Sequence, residues 1–223
     1  MNRPTLMALA AAALILGACA SVSVHHYTLL PVGEELPDDR QAAGFLIELL
    51  PVGVPAHLDQ PQLVVRRGPT GIVVLDGERW AGPLSEEFRD ALSAGITAHL
   101  QTRDIAGLSG PVNEPVLRIR VEVRRLDAWP GDKVSLDADW TLGFSDEAAT
   151  ARRVGGDRFE TPVSDGYPEL ILGHQRVVAM LAERIVADVR DQGSGIRDQG
   201  SGIRDQGSGI RDQGSGIRDQ GSG

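Results

Sequence analysis

The sequence is short of cysteine and of long hydrophobic runs. Cys19 is the only cysteine among 223 residues, so no disulfide can form within the chain and the core must hold the fold unaided. An apolar run spans residues 6–15. A helix that crosses the hydrocarbon core of a bilayer needs about 20 apolar residues, whereas this shorter run has the length of the hydrophobic region of a signal peptide.

Motifs of catalysis and metal binding are also missing. The sequence contains no His-Glu-x-x-His, no phosphate-binding glycine loop after a strand, and no Gly-x-Ser-x-Gly before the C-terminal tail. No two histidines share a metal-ligand spacing on one face. We therefore predict no catalytic residue and no metal site. The histidines are expected as solvated linker residues (His25 and His26) and as polar contacts on helix faces (His99 and His174).

Two local arrangements allow a functional interpretation beside a structural one. Asp137 and Asp139 share a face of a predicted strand and could form an acid–base pair. That face is predicted to be exposed to solvent, so we favour the interpretation that they are ordinary solvated surface residues. Trp80 follows Arg79, a pairing that is enriched at protein interfaces. Trp80 could instead fill the core where a hairpin meets a helix, and we favour that role.

The charge balance is acidic, with a formal net charge of −9. An acidic surface argues against nucleic acid as a partner and against electrostatic docking on anionic lipid. Membrane attachment, if there is any, must then depend on a covalent lipid.

The N-terminus supplies a site for such a lipid. Arg3 and the apolar run precede Leu16-Gly17-Ala18-Cys19, which has the form of a lipobox. We expect cleavage before Cys19 and acyl chains on its sulfur, and this covalent lipid is the only cofactor that we expect. Each buried methylene contributes about 0.8 kcal/mol to membrane binding, and stable anchoring takes at least two lipid signals. An ordinary signal peptide with a coincidental cysteine remains the alternative.

The C-terminus is a repeat. Residues 191–223 repeat Asp-Gln-Gly-Ser-Gly-Ile-Arg four times and then break off. Glycine keeps such a backbone flexible and one Ile per repeat cannot form a core, so we predict a disordered tail. We favour a tail without function, and a spacer or a binding segment is the alternative. The chain thus divides into a signal peptide at 1–18, a lipidated linker at 19–26, a single domain at 27–190 and the tail at 191–223.

The domain is predicted to be α+β, with a mostly antiparallel sheet and two amphipathic helices packed on it. Alternation of apolar and polar residues at 117–124 and 134–144 indicates antiparallel strands with one buried face. The Gly/Pro loop at 68–71 indicates a hairpin. A buried strand is expected at 45–52 and an edge strand at 159–163.

Both predicted helices open at a proline. The first opens at Gly82-Pro83, has an apolar residue every four positions, and should end near Gly107. The second opens at Pro168-Glu169. Its inner face is expected to carry Leu170, His174, Val177, Leu181 and Ile185. We expect one sheet with both helices on it.

Three segments of the domain resemble a known family. They are Tyr27-Thr28-Leu29, the stretch Leu58-Asp59-Gln60-Pro61-Gln62-Leu63-Val64, and the stretch Arg79-Trp80-Ala81-Gly82-Pro83-Leu84. In combination they resemble the Pqi-type ABC-transport auxiliary lipoproteins, over most of the folded part of the chain. His57 stands where the family pattern has an aromatic residue, and the repeat tail has no family counterpart.

The resemblance implies a non-catalytic role. Such lipoproteins are the outer-membrane partners of MCE-domain proteins, whose hydrophobic channel carries lipid across the periplasm. It implies an anchor on the periplasmic face of the outer membrane, with the inner membrane as the less favoured site, because Ala20 rather than Asp follows the cysteine. Asp59, Pro61, Arg79, Trp80 and Pro83 are then interface or structural residues. A second copy of the chain is a further candidate partner, and a stand-alone lipid-binding or chaperone-like lipoprotein is the alternative function.

Overall fold

The computed structural model describes residues 23–33, 42–108, 114–145 and 152–208. The lipobox and Cys19 lie outside these residues, so their role stays a prediction. The described part has seven strands and two helices. The strands are β1 (His25–Tyr27), β2 (Leu46–Leu49), β3 (Gln62–Arg67), β4 (Gly71–Trp80), β5 (Val116–Trp129), β6 (Lys133–Phe144) and β7 (Arg153–Pro162); the helices are α1 (Leu84–Leu100) and α2 (Tyr167–Ser208).

The α+β class is confirmed, but the expectation of one sheet is wrong. The strands form a three-stranded sheet in the order β1-β4-β3 and a four-stranded sheet in the order β2-β5-β6-β7. Both sheets are mixed, because β1 runs parallel to β4 and β2 runs parallel to β5. Alternation within the later strands could not reveal this, since parallel pairing needs long crossover connections that the local pattern does not show.

The larger sheet follows the predicted alternation. The inward residues of β5 and β6 are buried, and the two strands pair antiparallel through the predicted turn at 130–132. The register shifts between Val123 and Arg125. This bulge adds one residue, which is why the buried apolar side chains of β5 are odd-numbered up to Val123 and then continue with Leu126 and Ala128. The edge strand β7 is present and begins earlier than predicted.

The first helix ends at Leu100, short of the predicted end near Gly107. Gln101 adopts a left-handed conformation with φ of 49°, and its N–H bonds to the carbonyl of Thr97. The chain then turns toward β2, where the amide of Ile47 donates to the carbonyl of Arg103 at 3.1 Å. The apolar stripe of α1 ends with Leu100, so nothing holds the chain helical beyond it.

The second helix buries the predicted face against the larger sheet and α1. Its five predicted inner residues are all at most 1% exposed. The helix continues to Ser208, so residues 191–208 are helical where the sequence predicted a disordered tail. The packed part of the helix serves as its nucleus, and each residue beyond it adds one backbone hydrogen bond to a helix that is already formed. Residues 209–223 lie outside the described part.

One close approach in the core depends on glycine. Trp140 is 1% exposed and its indole lies against the backbone of Gly155 on the neighbouring strand. A Cβ at Gly155 would come within 2.4 Å of that ring. Because Gly155 has no side chain, the indole of Trp140 can pack directly against the backbone of β7.

The N-terminal linker is shorter than predicted. His25 and His26 are exposed as expected, but they belong to β1 and pair with Glu78 and Arg79 of β4. The Nδ1 atom of His25 lies 3.2 Å from the carboxylate of Glu78. The first strand therefore includes two residues that the sequence analysis placed in the linker.

Candidate functional site: a junction at the start of the first helix

The three segments that carry the family resemblance meet in space. The amide of Trp80 donates to the carbonyl of Pro61 at 2.8 Å, and the amide of Ala81 donates to the carbonyl of Tyr27 at 2.7 Å. The amide of Ser85 donates to the carboxylate of Asp59 at 3.0 Å. We call this meeting point, formed by residues 27–29, 58–62 and 79–87, the junction.

Asp59 acts as a helix cap supplied from another loop. The residue at the N-cap position of α1 is Pro83, which provides no side-chain hydrogen bond. The carboxylate of Asp59 takes the free N–H of Ser85 instead, and its negative charge faces the positive end of the helix dipole. The carbonyl of Pro83 accepts the amides of Glu86 and Glu87, each at 3.0 Å.

Trp80 is the core residue that we favoured and not an exposed anchor. It is 3% exposed, and its ring meets the imidazole of His174 edge to face at 5.4 Å between centroids. His174 Nδ1 lies 2.8 Å from the carbonyl of Leu170. Burial lowers the pKa of His174 to about 4, since the charged imidazolium cannot be hydrated there.

The remaining motif residues lie at or near the surface. Arg79 is half-buried and its Nε donates to the carbonyl of Asp76 at 3.2 Å. Pro61 and Pro83 are exposed. Of the five predicted site residues, Trp80 is therefore internal, Asp59 has a structural contact, and Arg79, Pro61 and Pro83 remain available to a partner.

Glu87 is the residue that the sequence analysis missed. Its carboxylate is buried in the junction and accepts the hydroxyl of Thr28 and the amide of Leu29, each at 2.8 Å. Gln175 of α2 donates to the carbonyls of Thr28 and Leu30 at 3.0 and 3.3 Å. A signal was available, because Glu87 falls within the buried stripe of α1.

These contacts fasten the start of the domain to both helices. We call residues 28–33 the strap. Leu29 of the strap is 1% exposed and belongs to the core. Tyr27 just before it donates its hydroxyl to Glu78 at 2.7 Å, and burial, followed by that hydrogen bond, raises the pKa of Tyr27 to about 12. The N-terminal end of the domain is thus held by buried apolar surface and by charged acceptors.

A groove lies beside the strap. It is bounded by Leu29, Leu30, Pro31 and Gly33 together with α1 and α2, and has a volume of about 280 Å³. Its helical walls carry small side chains, among them Ala91, Ala94, Gly95, Ala98 and Ala179. His99, Gln175 and Glu183 supply its polar groups.

The two carboxylates that the sequence analysis considered as an acid–base pair each contact a different arginine. Asp137 lies 3.4 Å from Arg158 and Asp139 accepts Arg124 at 2.6 Å. The hydrogen bond to Asp139 raises the pKa of Arg124. Each acid thus has its own arginine partner, and the two carboxylates do not form an acid–base pair.

Two buried carboxylates elsewhere are structural. Asp127 is bound by Arg66 and Arg125 and so links the hairpin of the small sheet to β5. Asp188 accepts the indole N–H of Trp140 at 2.9 Å, which ties α2 to the larger sheet.

Within the described ranges, no group of three or more His, Cys, Asp or Glu side chains could hold a metal ion. No helix in that part of the chain is long and apolar enough to cross a membrane.

The fold and the junction define a small α+β domain whose motif residues hold its own N-terminal end. The family model for the ABC-type transport auxiliary lipoprotein component matches residues 27–186, and the chain belongs to that family. It is therefore an auxiliary lipoprotein of ABC-type transport, a class that is anchored to a membrane of the cell envelope.

Solved structures agree in fold. An uncharacterized protein is 18% identical, with a TM-score of 0.59 and coverage of 75% of this chain and 99% of its own. A Xanthomonas campestris protein, whose family is named only as one of unknown function, is 15% identical, with a TM-score of 0.59 and coverage of 78% and 99%. At these identities the likeness shows the fold alone. No curated protein matches the chain.

Proposed function

We propose that the chain is a non-catalytic docking component of an MCE-type lipid-transport system, held at the periplasmic face of the outer membrane by acyl chains on Cys19. Its task is to give a periplasm-spanning MCE protein a fixed point at the second membrane. An acyl chain that met water on the way would lose about 0.8 kcal/mol per methylene, so the shielded path has to reach the membrane.

The observation that carries this proposal is the way in which the N-terminal end is fastened. Leu29 is buried, and Glu87 and Gln175 hold the strap from two different helices. A body that is only carried by a lipid needs no such rigid attachment. A domain that has to hold a large partner at a fixed distance from the membrane needs a rigid attachment, because a flexible one would let the docking surface move relative to the membrane.

The anchor is tested by replacing Cys19. The Cys19→Ala variant is expected to leave the membrane fraction while its circular dichroism and thermal unfolding stay unchanged. Intact-mass analysis of the natively produced protein should show a mature chain that begins at Cys19 and carries added acyl mass. A variant that stays wholly in the membrane fraction would place the anchor elsewhere.

Docking is tested at the exposed part of the junction. Arg79→Ala is expected to weaken co-purification with the MCE protein, since Arg79 is the basic residue of the junction and is partly exposed. The matched control is Arg67→Ala, because Arg67 is exposed at the far end of the same hairpin. Equal recovery of the MCE protein with both variants would remove the junction as the docking surface.

The groove supports a second candidate, a lipoprotein that binds lipid on its own. Its volume of about 280 Å³ lies just below the usual range of about 300–1,000 Å³ for small-molecule sites. Native mass spectrometry of the purified protein decides between the two functions. Near-stoichiometric co-purified lipid favours the lipid binder, and an empty protein favours the docking component.

A further inference from the structure

The N-terminal part of the mature chain lacks charge. Residues 19–33 contain no Asp, Glu, Lys or Arg, although 24% of the whole chain is charged. The strap lies at the end of this stretch. Its two large aliphatic side chains beyond Leu29 are exposed, Leu30 at 41% and Val32 at 96%.

These side chains border a larger apolar surface. The groove beside the strap is lined mainly by small apolar residues, with Glu183 as the charged residue of its lining; the apolar ones on the two helices are Ala91, Ala94, Ala98, Val178, Ala179 and Ala182. Single exposed apolar residues are common, but exposed apolar side chains that border a mostly apolar groove mark an interaction site. Glu183 and His99 at the groove would remain in contact with water at the edge of such a site.

The tether limits what can cover this surface. Three residues lie between Cys19 and Ser23, where the described chain begins, so the two Cα atoms are four steps apart and at most about 14 Å from each other. Val24, which is 41% exposed, follows directly, and β1 and the strap come next without a break. Because β1 and the strap are fixed to the body, an acylated Cys19 would bring this side of the molecule to the bilayer.

We propose that the strap and the adjoining groove walls lie on the bilayer that holds Cys19, with Leu30 and Val32 inserted at the level of the lipid headgroups. This inference rests on the proposed anchor at Cys19. The contact is apolar rather than electrostatic, which agrees with the acidic balance of the chain and with the missing charge in residues 19–33. A bilayer fits better than a protein partner because the only covalent lipid that we expect is carried by the same stretch.

The test uses the full lipidated chain in vesicles of phosphatidylethanolamine and phosphatidylglycerol. Acylation blocks the only native cysteine, so a Val32→Cys variant offers one thiol for an environment-sensitive fluorophore. Leu30→Cys repeats the measurement at the second position. The control is Val154→Cys, because Val154 is 73% exposed on the edge strand β7.

The labels at positions 30 and 32 are expected to shift to shorter emission wavelengths and to be quenched when the vesicles contain lipids with a quencher near the headgroup, since an interfacial segment lies about 5–10 Å deep in that region. The label at position 154 should change in neither respect. Flotation of the vesicles reports the anchor separately. Protein that floats while labels 30 and 32 behave like label 154 would overturn the inference and leave the anchor intact, and protein that does not float would overturn both.

A second arm examines other occupants of the surface. The same labels are placed in the Cys19→Ala background without vesicles, where we expect water-exposed emission. Shielded emission there would mean that a second copy of the chain covers the strap, and the membrane contact would be refuted.

Discussion

Glu87 offers the sharpest test of how the N-terminal end is held. In the Glu87→Ala variant, the hydroxyl of Thr28 and the buried amide of Leu29 lose their acceptor. We expect the strap to detach locally or the whole domain to lose stability. The same replacement at Glu86 provides the control, because Glu86 is exposed in the same first turn of α1.

The size of the effect follows from the contacts. Hydrogen bonds to a charged acceptor contribute about 1.5–3 kcal/mol each, and a buried donor left unpaired costs about 1–3 kcal/mol. The two contacts share one carboxylate, so they are not additive, and we expect Glu87→Ala to lower the free energy of unfolding by about 3 kcal/mol. Glu86→Ala should cost at most about 1 kcal/mol through the helix dipole.

Urea unfolding followed by circular dichroism measures both variants. Glu87→Gln keeps an acceptor oxygen and should fall between them. Amide hydrogen exchange at Leu29 adds a local readout, since the lost hydrogen bond should expose that amide even if the rest of the domain stays folded. The reasoning fails if Glu87→Ala costs no more than Glu86→Ala and the Leu29 amide remains protected.

The remaining predictions concern the core. The pKa of His174 falls from 6.5 to about 4 on folding, so the neutral imidazole stabilises the fold above pH 6.5 and that contribution, about 3 kcal/mol, is lost as the pH falls through 4. Urea unfolding between pH 7 and pH 4 should show this loss, His174→Gln should reduce it, and exposed His57→Gln should not. Gly155→Val should lower the free energy of unfolding by more than about 3 kcal/mol because its side chain would collide with Trp140. Gly44→Ala should be nearly neutral because no atom lies within 4 Å of the added Cβ; equal melting temperatures for the two glycine variants would contradict the packing argument.

Local patterns predicted the larger sheet and the helices well. Period-two alternation identified β5 and β6 because each has one buried face, and the four-residue spacing from Leu84 to Leu100 identified α1 for the same reason. The pairing of β1 with β4 and of β2 with β5 could not be predicted in this way. Short strands without alternation carry no information about their partners, and a parallel partner can lie anywhere later in the chain.

The junction was predicted only in part. The family motifs marked Asp59 and Trp80, and the structure shows that one caps α1 from a distance and the other fills the core. The polar network around the strap could not be predicted, since Gln175 reaches Thr28 across most of the sequence. Glu87 looked like an ordinary acidic residue at a helix start, and only its position in the buried stripe of α1 distinguished it from Glu86.

The pairing of β1 with β4 also affects how the domain is made. The histidine at the start of β1 meets a carboxylate 53 residues further along, and Gln175 binds the strap from a point 147 residues further along than Thr28. The first part of the domain to be synthesised is therefore among the last to find its partners, and contacts of such long range slow folding. A polypeptide with this order of events cannot complete its fold until α2 has been synthesised, and it fixes its N-terminal end to the body only when the whole domain is present.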